Sequence, residues 1–397
     1  MEVRPNDQLS FTVPNEQIIE WRRQMHAHPE LSFKEVNTSQ WVEDLLQGMG
    51  IETSRPTPTS VLGVLKGTGQ GPAKNIGLRA DMDALPVQEE TGEEFSSTVD
   101  GVMHACGHDT HTAMQLGAAK VLSENTDLFG GTVTFVFQHA EELNPGGAQE
   151  MVRAGAMEGL DGIFALHVMN ARVGTVQVRP GPATSLAGGG WITIKGQGSH
   201  GSMPQNSIDP VLVAAQVVVG LNTIVSRSVD PSHFMVINPG MIQAGQAPNV
   251  IPDSATIGVS VRTRTAEDTD LAFRRIEELT NGICAAYGAS VEYEWVDAYD
   301  IVYNDAALAA QALESAKKVA GDDNAWEGEI SSGSEDFSAF ANEVPGCFII
   351  LGGGDAEQGF PFQNHHPKFN VREDCLAIGT ALEVQLILDL LGPDTAE

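Results

Sequence analysis

The sequence predicts an α/β fold with a largely parallel central sheet, interrupted by an inserted ferredoxin-like α+β domain. Short apolar runs alternate with helical patterns over the first third of the chain, which indicates parallel strands joined by helices. Near residue 184 the order becomes strand, helix, strand, strand, helix, strand, as in a ferredoxin-like sandwich. The chain has 397 residues, and single hydrophobic cores stop growing at roughly 250–300. We therefore predict a larger domain from residues 1–183 and 299–397, with a smaller domain inserted at 184–298.

The elements of the larger domain follow from apolar periodicity. Residues 21–50 predict two helices that break near His28 and Pro29, and residues 110–125 predict a third helix. The runs NIGLRADMDALP, TVTFVFQ and GIFALHV predict strands, and the first of them ends in an acidic loop. After the insertion, CFIILGGG predicts a buried strand and residues 373–391 predict a closing helix. The α/β alternation therefore resumes there.

The inserted domain contains one helix with an unusual surface. Its segment VLVAAQVVVGLNTIV is apolar almost all round, and a small two-layer domain cannot bury such a surface alone. The exposed edge of a ferredoxin-like sheet can also pair with its own copy. We therefore predict a homodimer that forms through the inserted domain.

Composition limits the possible partners and compartments. A hydrophobic content of 42% with 19% charged residues is typical of a globular protein. The 22 basic and 53 acidic residues give a net charge of −31, which argues against nucleic acid and anionic membranes as partners. No apolar run reaches the roughly 18 residues of a membrane span, and the N-terminus lacks the pattern of a signal peptide. We expect a cytoplasmic protein.

The densest group of reactive side chains is the segment HACGHDTH, residues 104–111. It holds three histidines and Cys106, and thiolate and imidazole ligands suit zinc or another borderline divalent ion. The three other cysteines are scattered through the chain, which argues against a disulfide framework. The alternative is a loop whose histidines coincide by chance.

Three further groups follow predicted strands. Glu141 and Glu142 come directly after TVTFVFQ, His167 closes GIFALH, and residues 364–367 (NHHP) follow CFIILGGG. Taken alone, an acidic pair is more often solvated, and a strand-end histidine is more often structural. Ligand sites of open α/β sheets, however, lie at the carboxyl ends of the strands. Five candidate ligands exceed the three or four of a mononuclear zinc site, so two metal ions fit better.

Six segments resemble one known family in order and spacing. They are HACGHDTHTAMQLGAAK, FQHAEE, GGWITIKGQGSHGSMP, APNVIPD, SGSEDFSAF and HHPKFNVRE. They resemble the metal-dependent amidohydrolases that include hippurate hydrolases, N-acyl-amino-acid deacetylases and auxin-conjugate hydrolases, within the wider aminoacylase and carboxypeptidase clan. The resemblance runs from about Trp21 to Leu390, and FQHAEE departs from it by having His139 where proline is usual.

The resemblance implies two divalent metal ions per subunit, Zn²⁺ or Mn²⁺. The implied ligands are Cys106, His108, Glu142, His167 and His365. Cys106 would bridge the two ions, and the other four would be terminal ligands. His365 is chosen over His366 because it stands two residues before Pro367, as in the His-x-Pro motif of the family.

The resemblance also implies roles beyond metal binding, all within hydrolysis of the amide bond of an N-acyl amino acid. Glu141 would be the general base, and Asp81 would orient a ligand. His200 would come from the inserted lid domain of a partner subunit and stabilise the oxyanion, while Asn249 and Arg262 would hold the substrate carboxylate. Two alternatives stay open, a metallo-dipeptidase or carboxypeptidase of the same clan, and a non-catalytic metal-binding homologue.

Overall fold

A computed structural model describes residues 10–393, apart from the side chains of residues 297 and 298. The chain forms two compact units. The first comprises Met1–Ala183, Val302–Ile330 and Asp336–Glu397, and the second comprises Thr184–Ile301 and Ser331–Glu335. The short return segment of the second unit was not foreseen from the sequence. Ser185 holds it, because its backbone N–H donates to the Gly333 carbonyl at 2.9 Å and its hydroxyl to the Ser331 carbonyl at 3.0 Å.

The strands are short, with at most ten residues each. In chain order they are β1 (Glu52–Ser54), β2 (Val61–Lys66), β3 (Asn75–Asp81), β4 (Thr132–Gln138), β5 (Gly162–Met169), β6 (Val176–Val178), β7 (Gly181–Pro182), β8 (Leu186–Lys195), β9 (Ser199–His200), β10 (Met235–Ala244), β11 (Val250–Ile251), β12 (Ser254–Thr263), β13 (Ser290–Tyr299), β14 (Tyr303–Asn304), β15 (Ala325–Glu327) and β16 (Gly346–Gly352).

The helices range from four to 22 residues. They are α1 (Asn15–Ala27), α2 (Val36–Gly48), α3 (His108–Glu124), α4 (Gly147–Arg153), α5 (Pro210–Ser228), α6 (Ala266–Tyr287), α7 (Ala306–Ala320), α8 (Ser338–Ala341) and α9 (Asp374–Leu391). As predicted from residues 21–50, α1 and α2 are separate helices with the break after Ala27.

The first unit is built on an eight-stranded sheet in the order β1-β2-β4-β3-β5-β16-β6-β15. The four central strands β4, β3, β5 and β16 are parallel to one another, while β2 pairs antiparallel with β4 on one side and β6 pairs antiparallel with β16 on the other. Parallel central strands are buried on both faces, which explains the continuous apolar runs of β4 and β5. The predicted fold class is confirmed.

The register of these strands brings candidate residues to one edge of the sheet. Asp81 at the end of β3 pairs with Gln138 at the end of β4, and His167 of β5 pairs with Ile350 of β16. Helix α3 begins at His108 and packs against β3, α1 and α9. Because nearly all its residues are buried, α3 is fixed in place by packing on every side.

The second unit has a four-stranded antiparallel sheet in the order β10-β12-β8-β13, with α5 and α6 packed against it. When the four strands are numbered by their order along the chain, their order across the sheet is 2-3-1-4, which is the ferredoxin-like order. Buried side chains of α5 alternate with its exposed ones: Val217 and Leu221 are fully buried, whereas Leu212 and Val219 are 47% and 67% exposed.

Helix α5 is relevant to the expectation that no apolar segment of the chain is long enough to span a membrane. Among the described residues, Pro210–Ser228 is long and apolar enough to cross a membrane, with a mean hydropathy of 1.5 over an 18-residue window of which 28% is buried. Length and composition are the whole of this evidence, and core helices of globular domains meet the same criterion.

Candidate metal centre

The five predicted metal ligands lie in the first unit, in the loops and strand ends at the carboxyl edge of the central sheet. Cys106 precedes α3, His108 is its first residue, and Gly107 between them has a φ of 93°. A Cβ at Gly107 would lie 2.4 Å from Cγ2 of Val168, so only glycine fits this turn. Local backbone geometry thus places both side chains beside the end of β5, where His167 lies.

Their ligand atoms form two groups of three that share Cys106. One consists of Cys106, His108 and His167, and the other of Cys106, Glu142 and His365; within each group the atoms lie within 4.8 Å of one another. The Cys106 sulfur is 3.6 Å from Nε2 of His167, and Nε2 of His365 is 3.2 Å from Oε1 of Glu142. Two adjacent ion sites joined by one thiolate would use all five residues.

The nitrogen atoms of the buried histidines are set up for ligation. Nδ1 of His108 lies 2.9 Å from the carbonyl oxygen and 3.1 Å from Oδ1 of Asp83, and Nε2 is buried without a hydrogen-bond partner among the described residues. His167 donates from Nδ1 to the Val168 carbonyl at 2.8 Å. In both rings Nδ1 contacts a neighbouring group and Nε2 is the nitrogen that can bind a cation, and the donor set of one thiol, three imidazoles and a carboxylate fits zinc or a similar ion.

Burial is one of the influences on the pKa values of the predicted ligands. It holds the pKa of His167 well below its usual value, so this ring is neutral, as a metal ligand must be. Burial and the Glu142 carboxylate raise the pKa of the Cys106 thiol, which is therefore protonated without a cation. Hydrogen bonds with Cys106 and Glu142 raise the pKa of His365 to about 10. A bound cation would displace these protons.

Glu141 is 6% exposed and stands beside the two ligand groups. Its carboxylate lies within 4.8 Å of ligand atoms of His108 and Glu142, but it belongs to neither Cys106 group. The preceding Ala140 has a φ of 50°, a left-handed conformation that is uncommon for any residue other than glycine. Glu141 is thus a buried carboxylate next to two of the predicted ligands.

Asp83 contacts the predicted ligand His108, and Asp81, the predicted orienting residue, contacts His111. Oδ1 of Asp81 lies 2.6 Å from Nδ1 of His111, and its other oxygen accepts from Nη1 of Arg79 at 2.8 Å. Burial opposes the ionisation of Asp81, but the positive charges of His108 and Arg79 hold its pKa well below the usual range. Oδ2 of Asp81 also lies 3.6 Å from Nε2 of His108, and its role in orienting a ligand stays a prediction.

His111 has no free nitrogen for a metal. With Nδ1 on Asp81, its Nε2 accepts the backbone N–H of Val168 at 2.9 Å. It fixes the backbone next to His167. Sequence reasoning did not single out Asp83 or His111; the signals available were the second carboxylate of RADMDALP and the last histidine of HACGHDTH.

The three remaining predicted site residues lie in the second unit. His200 and Asn249 are both exposed and are brought together, because β9 pairs with β11 and the Gly201 N–H donates to the Asn249 carbonyl at 2.8 Å. Nδ1 of His200 accepts the backbone N–H of Ser202 at 3.1 Å. This contact leaves the ring proton on the exposed Nε2, where it can be donated.

Arg262 lies apart from that pair, on β12. Its Nη1 donates to the Ser260 hydroxyl and the Val261 carbonyl, both at 3.0 Å. Burial lowers the pKa of the guanidinium.

Comparison with known proteins gives consistent matches over nearly the whole chain. The model of peptidase family M20/M25/M40 matches residues 77–389. Thermostable carboxypeptidase 1 of Saccharolobus solfataricus is 38% identical over 91% of this chain and 92% of its own length. N-acyl-L-amino acid amidohydrolase of Geobacillus stearothermophilus is 46% identical over 72% and 78%. The crystal structure of Bacillus subtilis YXEP, titled a dinuclear metal binding peptidase from the M20 family, is 34% identical with a TM-score of 0.78, covering 95% of this chain and 98% of that one.

Proposed function

Because the chain belongs to peptidase family M20/M25/M40 and is a metal-dependent amidohydrolase, we propose that Cys106 bridges two metal ions at its active site and that Glu141 is the base. The reaction converts an N-acyl amino acid to a carboxylate and a free amino acid. Zn²⁺ and Mn²⁺ are the ions that we expect. The observation that carries the proposal is the pair of ligand groups that have Cys106 in common.

The chemistry follows from the positions of the side chains. When bound, the ions supply Lewis acidity and lower the pKa of a water molecule. Glu141 takes the proton of the attacking water and returns it to the departing amine nitrogen. Asp83 and the Val168 carbonyl keep His108 and His167 in the orientation that ligation requires.

A cysteine comparison tests the bridge. Cys106→Ala removes the residue common to both groups, so we expect bound metal, measured by elemental analysis after saturation and dialysis, to fall from two ions per chain to less than one. Cys347→Ala is the matched control, because Cys347 is fully buried in β16 and belongs to neither group. Two tightly held ions in Cys106→Ala would exclude a bridging thiolate.

A substrate panel tests the reaction. We expect the metal-loaded protein to hydrolyse acetyl, benzoyl or indole-acyl amino acids faster than dipeptides with a free amine. The carboxypeptidase relative supports the second candidate, a peptidase that removes a C-terminal residue. Preference for an N-blocked dipeptide over every simple acyl amino acid would favour that candidate, and no turnover of any panel member would favour a non-catalytic metal-binding protein.

We also propose a cytoplasmic homodimer in which α5 contributes to the interface and His200 acts on the partner's site. Val211, Leu212 and Val219 expose apolar surface along α5, with exposed fractions of 41%, 47% and 67%. Surface of this kind is commonly covered by a partner. Because α5 is also apolar, the cytoplasmic proposal can be tested by fractionating cell extracts into cytosol and membranes. Recovery of the protein in the membrane pellet would contradict the proposal.

A further inference from the structure

A buried carboxylate outside the metal centre holds the loop that carries Glu141. Glu35, just before α2, is fully buried. Its Oε1 accepts the backbone N–H of Ala140 at 2.8 Å and that of Phe33 at 3.0 Å. Both donors belong to left-handed residues, with φ values of 50° for Ala140 and 64° for Phe33. One oxygen therefore satisfies two buried or half-buried N–H groups that lie in unfavourable backbone conformations.

The opposite side of Ala140 is fixed as well. Its carbonyl accepts the N–H of Gly147 at 2.9 Å, so the N–H and the carbonyl of Ala140 are both hydrogen-bonded. A Cβ at Gly147 would lie 1.9 Å from the carbonyl oxygen of His139, which shows how closely α4 approaches the loop. His139 adds an edge-on ring contact with Phe33 at 5.5 Å between centroids.

A left-handed alanine costs conformational energy that its surroundings must offset. Without an acceptor, the buried Ala140 N–H would also lose a hydrogen bond that water cannot replace. The neighbouring peptide would then rotate, and Glu141 follows it directly along the chain. A small rotation at Ala140 displaces the Glu141 carboxylate, whereas Glu142 has a separate anchor, since its N–H donates to Oδ2 of Asp83 at 3.0 Å.

We propose that Glu35 is a positioning residue for Glu141, acting through the left-handed peptide of Ala140. This inference rests on the proposed role of Glu141 as base. The segment HPELSFKE, which supplies none of the predicted metal ligands, would thereby contribute to the position of Glu141. Burial, reinforced by the charge of Asp83, raises the pKa of Glu35 to about 7. The protonated and ionised forms both offer Oε1 as an acceptor, so the interaction does not require a full charge.

The test compares Glu35→Ala with Glu35→Gln and Val42→Ala. Glutamine keeps the acceptor oxygen, whereas alanine removes it. Val42 is fully buried in α2 and belongs to the main core cluster of the first unit, so Val42→Ala controls for general destabilisation. The readouts are kcat and KM for the panel substrate hydrolysed fastest, metal content, and amide hydrogen exchange of residues 138–143 in the metal-free protein.

We expect Glu35→Ala to lower kcat more than tenfold with KM and metal content unchanged, and to speed exchange in residues 138–143. Glu35→Gln should recover most of kcat, and Val42→Ala should leave kcat, KM, metal content and the exchange of residues 138–143 unchanged. Unchanged exchange, or faster exchange with kcat within twofold of wild type, would overturn the inference. If Glu141→Gln stayed active, the base assignment would fail; the exchange result would still report separately whether Glu35 holds the loop.

Discussion

The two units present their candidate residues in opposite ways. In the first unit the predicted ligands lie at the end of one sheet, and His108 and His167 are buried and oriented by neighbouring backbone and carboxylate groups. In the second unit His200 and Asn249 are exposed, on a two-stranded ribbon. The first unit can thus bind metal with its own residues, whereas the exposed His200 and Asn249 of the second unit can donate hydrogen bonds to a molecule outside that unit. Metal binding and turnover should therefore be separable by mutation.

The largest effect is expected for Glu141→Gln, which removes the base and leaves every ligand in place. Turnover should fall by about 10²–10⁴-fold, the usual contribution of general base catalysis. Two ions per chain should remain bound, as measured by elemental analysis on the same sample. A variant with more than a tenth of the wild-type rate would show that another group takes the proton.

A somewhat smaller loss is expected for His200→Ala, in the second unit. Losing one oxyanion donor typically costs about 10²–10³-fold in kcat. Metal content should not change, which distinguishes this variant from those of the first unit. Loss of metal from His200→Ala would contradict the expectation that metal binding depends on the first unit alone.

Mixing inactive variants tests whether His200 acts across the subunit interface. After subunit exchange, heterodimers of Glu141→Gln and His200→Ala contain one site with both residues intact, so some activity should return. Dimers that have demonstrably exchanged, as shown by mass spectrometry of differently labelled chains, and remain inactive would place His200 within its own subunit.

An intermediate effect on metal affinity is expected for Asp83→Ala. Asp83 contacts Nδ1 of His108 and the N–H of Glu142, and losing such support typically weakens metal binding about 10–100-fold. Asp253→Ala is the control, because Asp253 accepts the Gly198 N–H at 2.8 Å in the second unit. Calorimetric titration with Zn²⁺ measures the metal affinity of both variants. Equal affinity of Asp83→Ala and wild type would remove Asp83 from the ligand support.

The smallest effect is expected for Val219→Lys, which places a charge on the exposed apolar side of α5. The dimer should weaken, so sedimentation should show more monomer on dilution while the thermal midpoint hardly changes. Ala310→Lys adds the same charge to an exposed position of α7 in the first unit and should leave the mass unchanged. Identical sedimentation of the two variants would exclude α5 from the interface.

Much of the architecture could be predicted because it depends on local periodicity. TVTFVFQ coincides with β4, and the helix–strand alternation led to the α/β class with its ferredoxin-like insertion. The ligand types were equally visible, since Cys106, His108 and Glu142 stand next to predicted strand ends or helix starts. Parallel strands bring their carboxyl ends together, so side chains distant in sequence were expected to meet.

What only the tertiary structure decided is which neighbour each of these side chains contacts. RADMDALP contains two aspartates two residues apart, and no pattern within it tells that Asp83 supports His108 while Asp81 binds His111. Nor does the sequence indicate that Glu35 reaches Ala140, 105 residues away. The apolar periodicity of a segment indicates which of its side chains face water and which face the core, because burial acts on each segment separately. Hydrogen bonds between distant segments depend on distances of a few tenths of an ångström, and those exist only once the whole unit has packed.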